Sequence, residues 1–166
     1  MSEHNQWLLD RNKGKQAIFQ DIIFEKNNFT DCNFELTEFK NCKFFDCVFC
    51  KGTFNKSLIS NCYMSNVKFE KISLTNITIN ETHFNNCTYY NSLFFGANFN
   101  KVTFLNTHFF ESLINAKSTD VKVDTITSNS IKQNKKNTPV NISIDLNAIN
   151  FINTVFKIMK EKEGEE

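Results

Sequence analysis

The stretch CNFELTEFKNCKFFDCVFCKGTF, residues 32–54, places a phenylalanine at every fifth position. The same register runs without insertion or deletion from residue 17 to residue 116, and the centre of every unit is apolar. In a chain with 40% hydrophobic residues, twenty such centres would arise by chance with a probability on the order of 10⁻⁸. The centres are Phe at 19, 24, 29, 34, 39, 44, 49, 54, 69, 84, 94, 99, 104 and 109, with Ile59, Met64, Leu74, Ile79, Tyr89 and Ile114. A period of five fits neither a helix nor a simple strand, so it predicts a repeat architecture.

A second column of residues stands two positions before each centre. Its members are small or β-branched, with Asn27 as the exception. Residues two apart in an extended chain point to the same side, so each unit sends one small and one large side chain inward. The remaining three positions are mostly Asn, Lys, Asp, Glu, Ser and Thr, and we expect them to face water.

Five of the six cysteines fall in the small inward column: Cys32, Cys42, Cys47, Cys62 and Cys87. There a thiol acts as a compact hydrophobic group. Only Cys50 stands at an outward position, and its spacing from Cys47 and Cys42 does not match a zinc knuckle. We therefore expect reduced, structural cysteines, although Cys42 and Cys62 would lie close enough in adjacent coils to be cross-linked. The pattern predicts neither a metal nor a cofactor.

The units CNFEL, CKFFD, CVFCK, CYMSN and ANFNK resemble those of the pentapeptide-repeat family. The resemblance covers 100 of the 166 residues, from 17 to 116. It implies an all-β fold, a right-handed quadrilateral β-solenoid with four units per coil and about five coils. Because Phe is favoured at the centres, we expect a ladder of aromatic rings along the axis.

The flanking segments lack the repeat. Residues 1–16 are interpreted as an N-terminal cap, with Trp7, Leu8 and Leu9 as a lid over the first coil. Residues 117–141 are interpreted as a polar lead-out and loop, because Lys117 and Thr119 would take the next inward positions. Residues 142–166 predict a C-terminal amphipathic helix that begins near Asp145, followed by a tail. The helix would serve as a cap or a dimer contact through its apolar face: Leu146, Ile149, Ile152, Phe156 and Met159.

Outward positions that break the polar rule mark a candidate interaction surface. Near the end of the repeat they cluster as Tyr90, Leu93, Phe95, Phe110 and Leu113. Monomers seldom leave such a patch bare, so it is covered either by the chain's own C-terminal segment or by a dimer or other partner. Asn66, Asn86 and Asn106 align at one corner, where their amides would bond the turn backbone or form a ladder.

Charge and motifs narrow the functional classes. The formal net charge is +1, and the repeat carries eight Lys against nine Asp and Glu. Because these charges nearly balance, we expect no direct binding to nucleic acid or to a membrane surface. No stretch predicts a cleavable signal or a membrane span, so we expect a cytoplasmic protein, with secretion as an effector left open. No triad or Gly-rich phosphate loop is evident, and we expect a non-enzymatic protein.

A protein-binding scaffold of unknown partner is the function that these features favour. The resemblance implies an alternative, because Qnr-type, MfpA-type and microcin-immunity members of the family are associated with DNA gyrase and with quinolone or toxin resistance. The stretch NNFTDCNFELTEFKNCKFFDC, residues 27–47, resembles the opening of Qnr-type chains. This chain departs from that type in two ways: no loop projects from its repeat, and it carries no continuous acidic stripe. A secreted bacterial effector is a further alternative.

Overall fold

Each five-residue unit forms one side of a square coil, and four units complete a turn of twenty residues. The structure is a computed structural model that describes residues 3–128 and 140–145. In the described part of the chain, helix α1 spans Glu3–Leu9. The strands in chain order are β1 Ile18–Gln20, β2 Ile23–Glu25, β3 Asn28–Thr30, β4 Glu38–Lys40, β5 Lys43–Phe45, β6 Val48–Cys50, β7 Leu58–Ser60, β8 Tyr63–Ser65, β9 Lys68–Glu70, β10 Thr78–Asn80, β11 His83–Asn85, β12 Thr88–Tyr90, β13 Leu93–Asn100, β14 Thr103–Leu105, β15 Thr107–Phe110, β16 Leu113–Thr119, β17 Lys122–Ser128 and β18 Val140–Asp145.

Residues twenty apart pair in register, which stacks the units into four walls. Face 1 contains the centres 19, 39, 59, 79 and 99, and its strands pair in parallel in the order β1-β4-β7-β10-β13-β16. Face 2 contains the centres 24, 44, 64, 84 and 104, and face 3 contains 29, 49, 69, 89 and 109. Face 4, with the centres 34, 54, 74, 94 and 114, is joined in its lower coils by single bridges. The predicted all-β, four-sided solenoid of about five coils is confirmed.

The four corners depend on a left-handed backbone conformation that recurs every five residues. Among residues 3–128 and 140–145, nineteen non-glycine residues have positive φ, and eleven of them are Asn or Asp, the side chains that tolerate this region best. Two corner columns also bond along the axis. Asn106 donates to Asn86 at 3.0 Å, Asn86 donates to Asn66, and Asn66 donates to Asp46. Of the two arrangements expected for these amides, the ladder is the one present.

The core is a column of stacked rings. Ten of the fourteen repeat Phe are at most 4% exposed, and the four of the first coil are half-buried. Face 3 carries an unbroken stack in which ring centroids lie 4.7, 5.1, 4.4 and 4.9 Å apart from Phe29 through Phe49, Phe69 and Tyr89 to Phe109. Burial raises the pKa of Tyr89 well above its ordinary value, and its buried hydroxyl has no hydrogen-bond partner in the described part of the chain.

The small inward column works by hydrogen bonding as well as by size. The thiol of Cys62 donates to the carbonyl of Ser60 at 3.3 Å, and the hydroxyl of Thr82, one coil further, donates to Asn80 at 2.7 Å. Cys, Ser and Thr therefore fill the same role, since each is small and can donate to the carbonyl two residues back. All six cysteines carry free thiols.

The N-terminal segment is attached through a residue that the sequence analysis did not single out. His4 is 8% exposed; its Nδ1 accepts from the backbone N–H of Ala17 at 3.0 Å, and its Nε2 lies 2.9 Å from the carbonyl oxygen of Glu35. Of the three residues predicted as a lid, Trp7 and Leu8 are half-buried and Leu9 is 77% exposed. The helix therefore docks at the corner between faces 4 and 1.

The repeat does not stop at Ala116 as the sequence analysis proposed. Phe95 pairs with Asn115 and Ala97 pairs with Ala116, so Gly96 has no partner and the register advances by one residue. Ala116, Ser118, Val121 and Val123 then point inward with at most 7% exposure, in place of Lys117 and Thr119. Residues 140–145 form a strand antiparallel to β17, and the predicted helix residues Leu146, Ile149, Ile152, Phe156 and Met159 lie outside the described residues.

Candidate protein-binding surface

The predicted apolar cluster lies on two adjacent coils at one corner of the solenoid. Tyr90 pairs with Phe110 on face 3, and Leu93 pairs with Leu113 on face 4. Tyr90 and Leu93 are separated only by Asn91 at the corner and the inward Ser92. We call these residues, with Phe95 on the same wall, the apolar patch: Tyr90, Leu93, Phe95, Phe110 and Leu113.

The members of the apolar patch are more exposed than structural apolar residues. Tyr90 is 39% exposed, Leu93 38%, Phe95 57% and Leu113 63%, while Phe110 is half-buried. His108 stacks on Phe110 with ring centroids 6.0 Å apart. The wall below is different in kind, because the outward positions of face 4 in the first three coils are all polar: Asn33, Glu35, Thr53, Asn55, Ser73 and Thr75.

A polar rim borders the apolar patch. The negative charge of the nearby Glu111 carboxylate raises the pKa of Tyr90, because it disfavours a phenolate. On the coil below, Glu70 forms ion pairs with Lys68 at 3.2 Å and with Lys71 at 3.8 Å. The patch therefore has an apolar centre with charged groups at its edge.

The opposite side of the solenoid carries a polar groove of about 590 Å³ between faces 1 and 2, lined by Asn61, Glu81, His83, Lys101, Thr103, Asp120 and Lys122. Its charges alternate along the axis. Lys101 donates to Glu81 at 2.9 Å, and this bond raises the pKa of Lys101. The groove is wide and open, and its paired charges leave no cluster of one sign.

The titratable groups of the described residues are spread over several faces of the solenoid. Among the described residues, no group of three or more His, Cys, Asp or Glu is placed to hold a metal ion. His83 lies on face 2 and His108 on face 3. In the same part of the chain, no helix has the length and apolar character needed to cross a membrane.

Besides Leu105 on face 2, sequence reasoning missed a group of three exposed apolar positions away from the apolar patch. Ile18, Ile22 and Ile23 are 52%, 36% and 62% exposed, and all three belong to the first coil. Asn27, the one large polar residue of the inward column, is also exposed. That break in the column was the sequence signal that the start of the solenoid is open.

Comparisons with known proteins return structural likenesses only. No family model matches the chain, and no curated protein matches it. A trypsin-treated R167E form of QnrB1, a plasmid-mediated fluoroquinolone resistance protein, matches with 12% identity and a TM-score of 0.31, over 64% of this chain and 73% of that one. The pentapeptide-repeat protein Rfr23 from the cyanobacterium Cyanothece 51142 matches with 11% identity and a TM-score of 0.36, over 70% of this chain and 92% of that one.

These scores are low, so the fold assignment depends on the coil itself. That coil has twenty residues, four walls, in-register parallel pairing, a positive φ at nearly every corner and a Phe at most inward centres. The chain is a four-sided parallel β-solenoid built from five-residue units, the fold that the sequence resemblance implies.

Proposed function

We propose that this protein is a non-enzymatic scaffold that binds another protein through the apolar patch. The observation that carries the proposal is the joint exposure of Tyr90 on face 3 and of Leu93, Phe95 and Leu113 on face 4, on two coils above a part of face 4 whose outward positions are all polar. Soluble proteins rarely leave contiguous apolar surface of this kind without a partner.

The composition of the patch favours a protein as the partner. Tyr and Phe are enriched at the centres of protein interfaces, where they bury large area at a small cost in side-chain entropy. The patch is held by strands β12, β13, β15 and β16, so little ordering accompanies binding. Glu111 and the Glu70–Lys71 pair supply the polar rim that such interfaces have.

The same surface is where we expect the chain's own C-terminal segment to dock, if the predicted helix forms. These two occupants compete for one patch. A partner that displaces residues 146–166 would bind more tightly to a variant whose segment has lost its apolar face, such as Ile152→Lys with Phe156→Lys. If the segment instead pairs with its copy in a second chain, the same variant lowers the mass in solution.

The patch predicts the effect of a single charge. Replacing Leu113, 63% exposed, with Lys puts an ammonium group within the apolar patch, and we expect partner affinity to fall about tenfold or more. Leu105→Lys is the matched control, because Leu105 is 40% exposed on face 2, away from the patch. Capture of binding proteins from a bacterial lysate by the unmodified chain, followed by titration of each variant, measures this. Equal affinity of the two variants would contradict the proposal.

A type II topoisomerase is the specific alternative partner that the sequence resemblance implies. A duplex-like surface needs a continuous row of negative charges. In the described residues the carboxylates are instead interleaved with lysines, as in the pairs Glu38–Lys40, Glu35–Lys56 and Glu81–Lys101. The charge pattern therefore favours binding through apolar contact over imitation of DNA.

A gyrase supercoiling assay with and without a quinolone separates the two partners. From the interleaved charges we expect micromolar protein neither to inhibit supercoiling nor to protect the enzyme from the drug. Inhibition or protection that survives Leu113→Lys would establish gyrase as a target of some other surface. Inhibition or protection that Leu113→Lys abolishes would instead identify gyrase as the partner of the apolar patch.

A further inference from the structure

The start of the solenoid is open on two of its four sides. In the inward column that leads into face 2, Ile22 is 36% exposed, whereas the residues stacked above it are buried: Cys42 0%, Cys62 2%, Thr82 0%, Val102 0% and Val121 0%. Asn27, which leads into face 3, is exposed as well, and Phe24 and Phe29 are only half-buried. Apolar core is therefore accessible to solvent at this end.

The backbone at this end is also incompletely paired. Strands β2 and β3 pair only with β5 and β6 above them, and no described strand lies on their other side. At the far end, β18 runs antiparallel to β17 and covers that edge. Helix α1 is anchored elsewhere, because its His4 contacts Ala17, Glu35 and Thr37 at the corner between faces 4 and 1.

We propose that a second copy of this chain docks head to head on the open first coil. A two-fold axis through the middle of face 2, perpendicular to the solenoid, sets β2 antiparallel to β2 of the second copy. Edge groups then pair between copies as β17 and β18 pair within one chain. Such an isologous contact closes on itself, so it gives a dimer and not a fibre.

The charges of the first coil match this axis. It brings the corner that carries Asp21 beside the corner of the second copy that carries Lys26, and it does so twice. It also sets Asp31, at the corner between faces 3 and 4, against the segment before Ala17, where Arg11, Lys13 and Lys15 are exposed. Glu25, exposed beside Lys26, lies near Asp21 of the second copy and offsets part of this attraction. The end surface is therefore complementary to itself under this rotation.

This contact is independent of the apolar patch, which lies on the fourth and fifth coils. A result that contradicts the dimer contact therefore leaves the proposed function unaffected, and the reverse also holds. A dimer built this way places two apolar patches at opposite ends of a longer rod, and it leaves both available to partners.

Sedimentation of the full-length chain across the micromolar range tests the contact. We expect the unmodified chain to approach twice its 19.4 kDa mass. Lys26→Glu places a negative charge beside Asp21 of the second copy at both symmetry-related contacts. The dissociation constant of the dimer should therefore rise about tenfold. The double variant Asp21→Lys with Lys26→Glu restores opposite charges across the axis and should restore the dimer, which a merely structural role of Lys26 would not do.

Lys51→Glu is the matched control, since Lys51 has φ 53° against 52° for Lys26 and lies one coil away from the end. It should leave the mass unchanged. Three results would overturn the proposal: a chain that stays monomeric over the whole range, a dimer that Lys26→Glu does not weaken, or a weakened dimer that the double variant fails to restore. A dimer lost only in Leu113→Lys would assign self-association to the apolar patch instead.

Discussion

Replacing Phe49 with Ala should lower the free energy of unfolding by about 3–5 kcal/mol, the range for truncating a fully buried aromatic residue. Phe49 is 1% exposed. Its ring stacks on Phe29 at 4.7 Å and on Phe69 at 5.1 Å, and its edge meets Phe54 at 5.2 Å. No neighbouring ring can move into the space that the Phe49 ring leaves, because each ring is held in place by the strand that carries it. The loss of stability therefore combines the cost of a cavity with the lost free energy of transferring the ring from water into the core.

Phe29→Ala is the control, in the same stack but one coil lower. Phe29 is half-buried and stacks on one ring of its own wall, Phe49, so we expect about half the loss. Urea unfolding followed by far-ultraviolet circular dichroism gives both values, provided that each variant retains the β signal of the unmodified chain. Equal losses for the two variants would show that the first coil is as well packed as the second.

The stack on face 3 shows how much a simple period can establish. A residue every five positions, with Phe at most of them, determined the walls, the inward centres and the identity of the rings that meet. It also placed Tyr90, Leu93, Phe95, Phe110 and Leu113 on two adjacent coils, because that arrangement follows from counting in steps of twenty. These features depend on local repetition, which a sequence displays directly.

Features that depend on contact between distant residues could not be predicted in this way. Gly96 is skipped in the pairing of β13 with β16, and no local signal distinguishes a skipped residue from the end of a repeat. Leu36 adopts φ 57°, which no propensity favours for Leu. Its conformation is held from outside, since its N–H donates to the carbonyl of Asn55 and its carbonyl accepts from the side chain of Gln16. The docking of His4 likewise depends on residues 31 and 33 positions away.

Alkaline pH should destabilise the solenoid through its buried thiols. Burial raises the pKa of Cys62 and of Cys87 from 9.0 to about 12, because a thiolate would lose its hydration there. In the unfolded chain both thiols ionise near pH 9, so the stabilisation is complete below that pH and is lost as the pH rises toward 12. At pH 11 the two thiols together should cost about 5 kcal/mol of unfolding free energy, at roughly 1.4 kcal/mol per pH unit for each.

The double variant Cys62→Thr with Cys87→Thr isolates this contribution. Thr already occupies the same inward columns at Thr82 and Thr107, where each hydroxyl donates to the carbonyl two residues back, as the thiols do. The variant should match the unmodified chain at pH 7 and retain more stability at pH 11, by about 5 kcal/mol. Cys50→Thr, at an outward position, controls for general effects of thiol removal. Urea midpoints measured from pH 7 to 11 test this prediction. A difference between the unmodified chain and the double variant that grows above pH 9 would support it. Parallel curves for the two would show that thiol ionisation does not lower the stability of the fold.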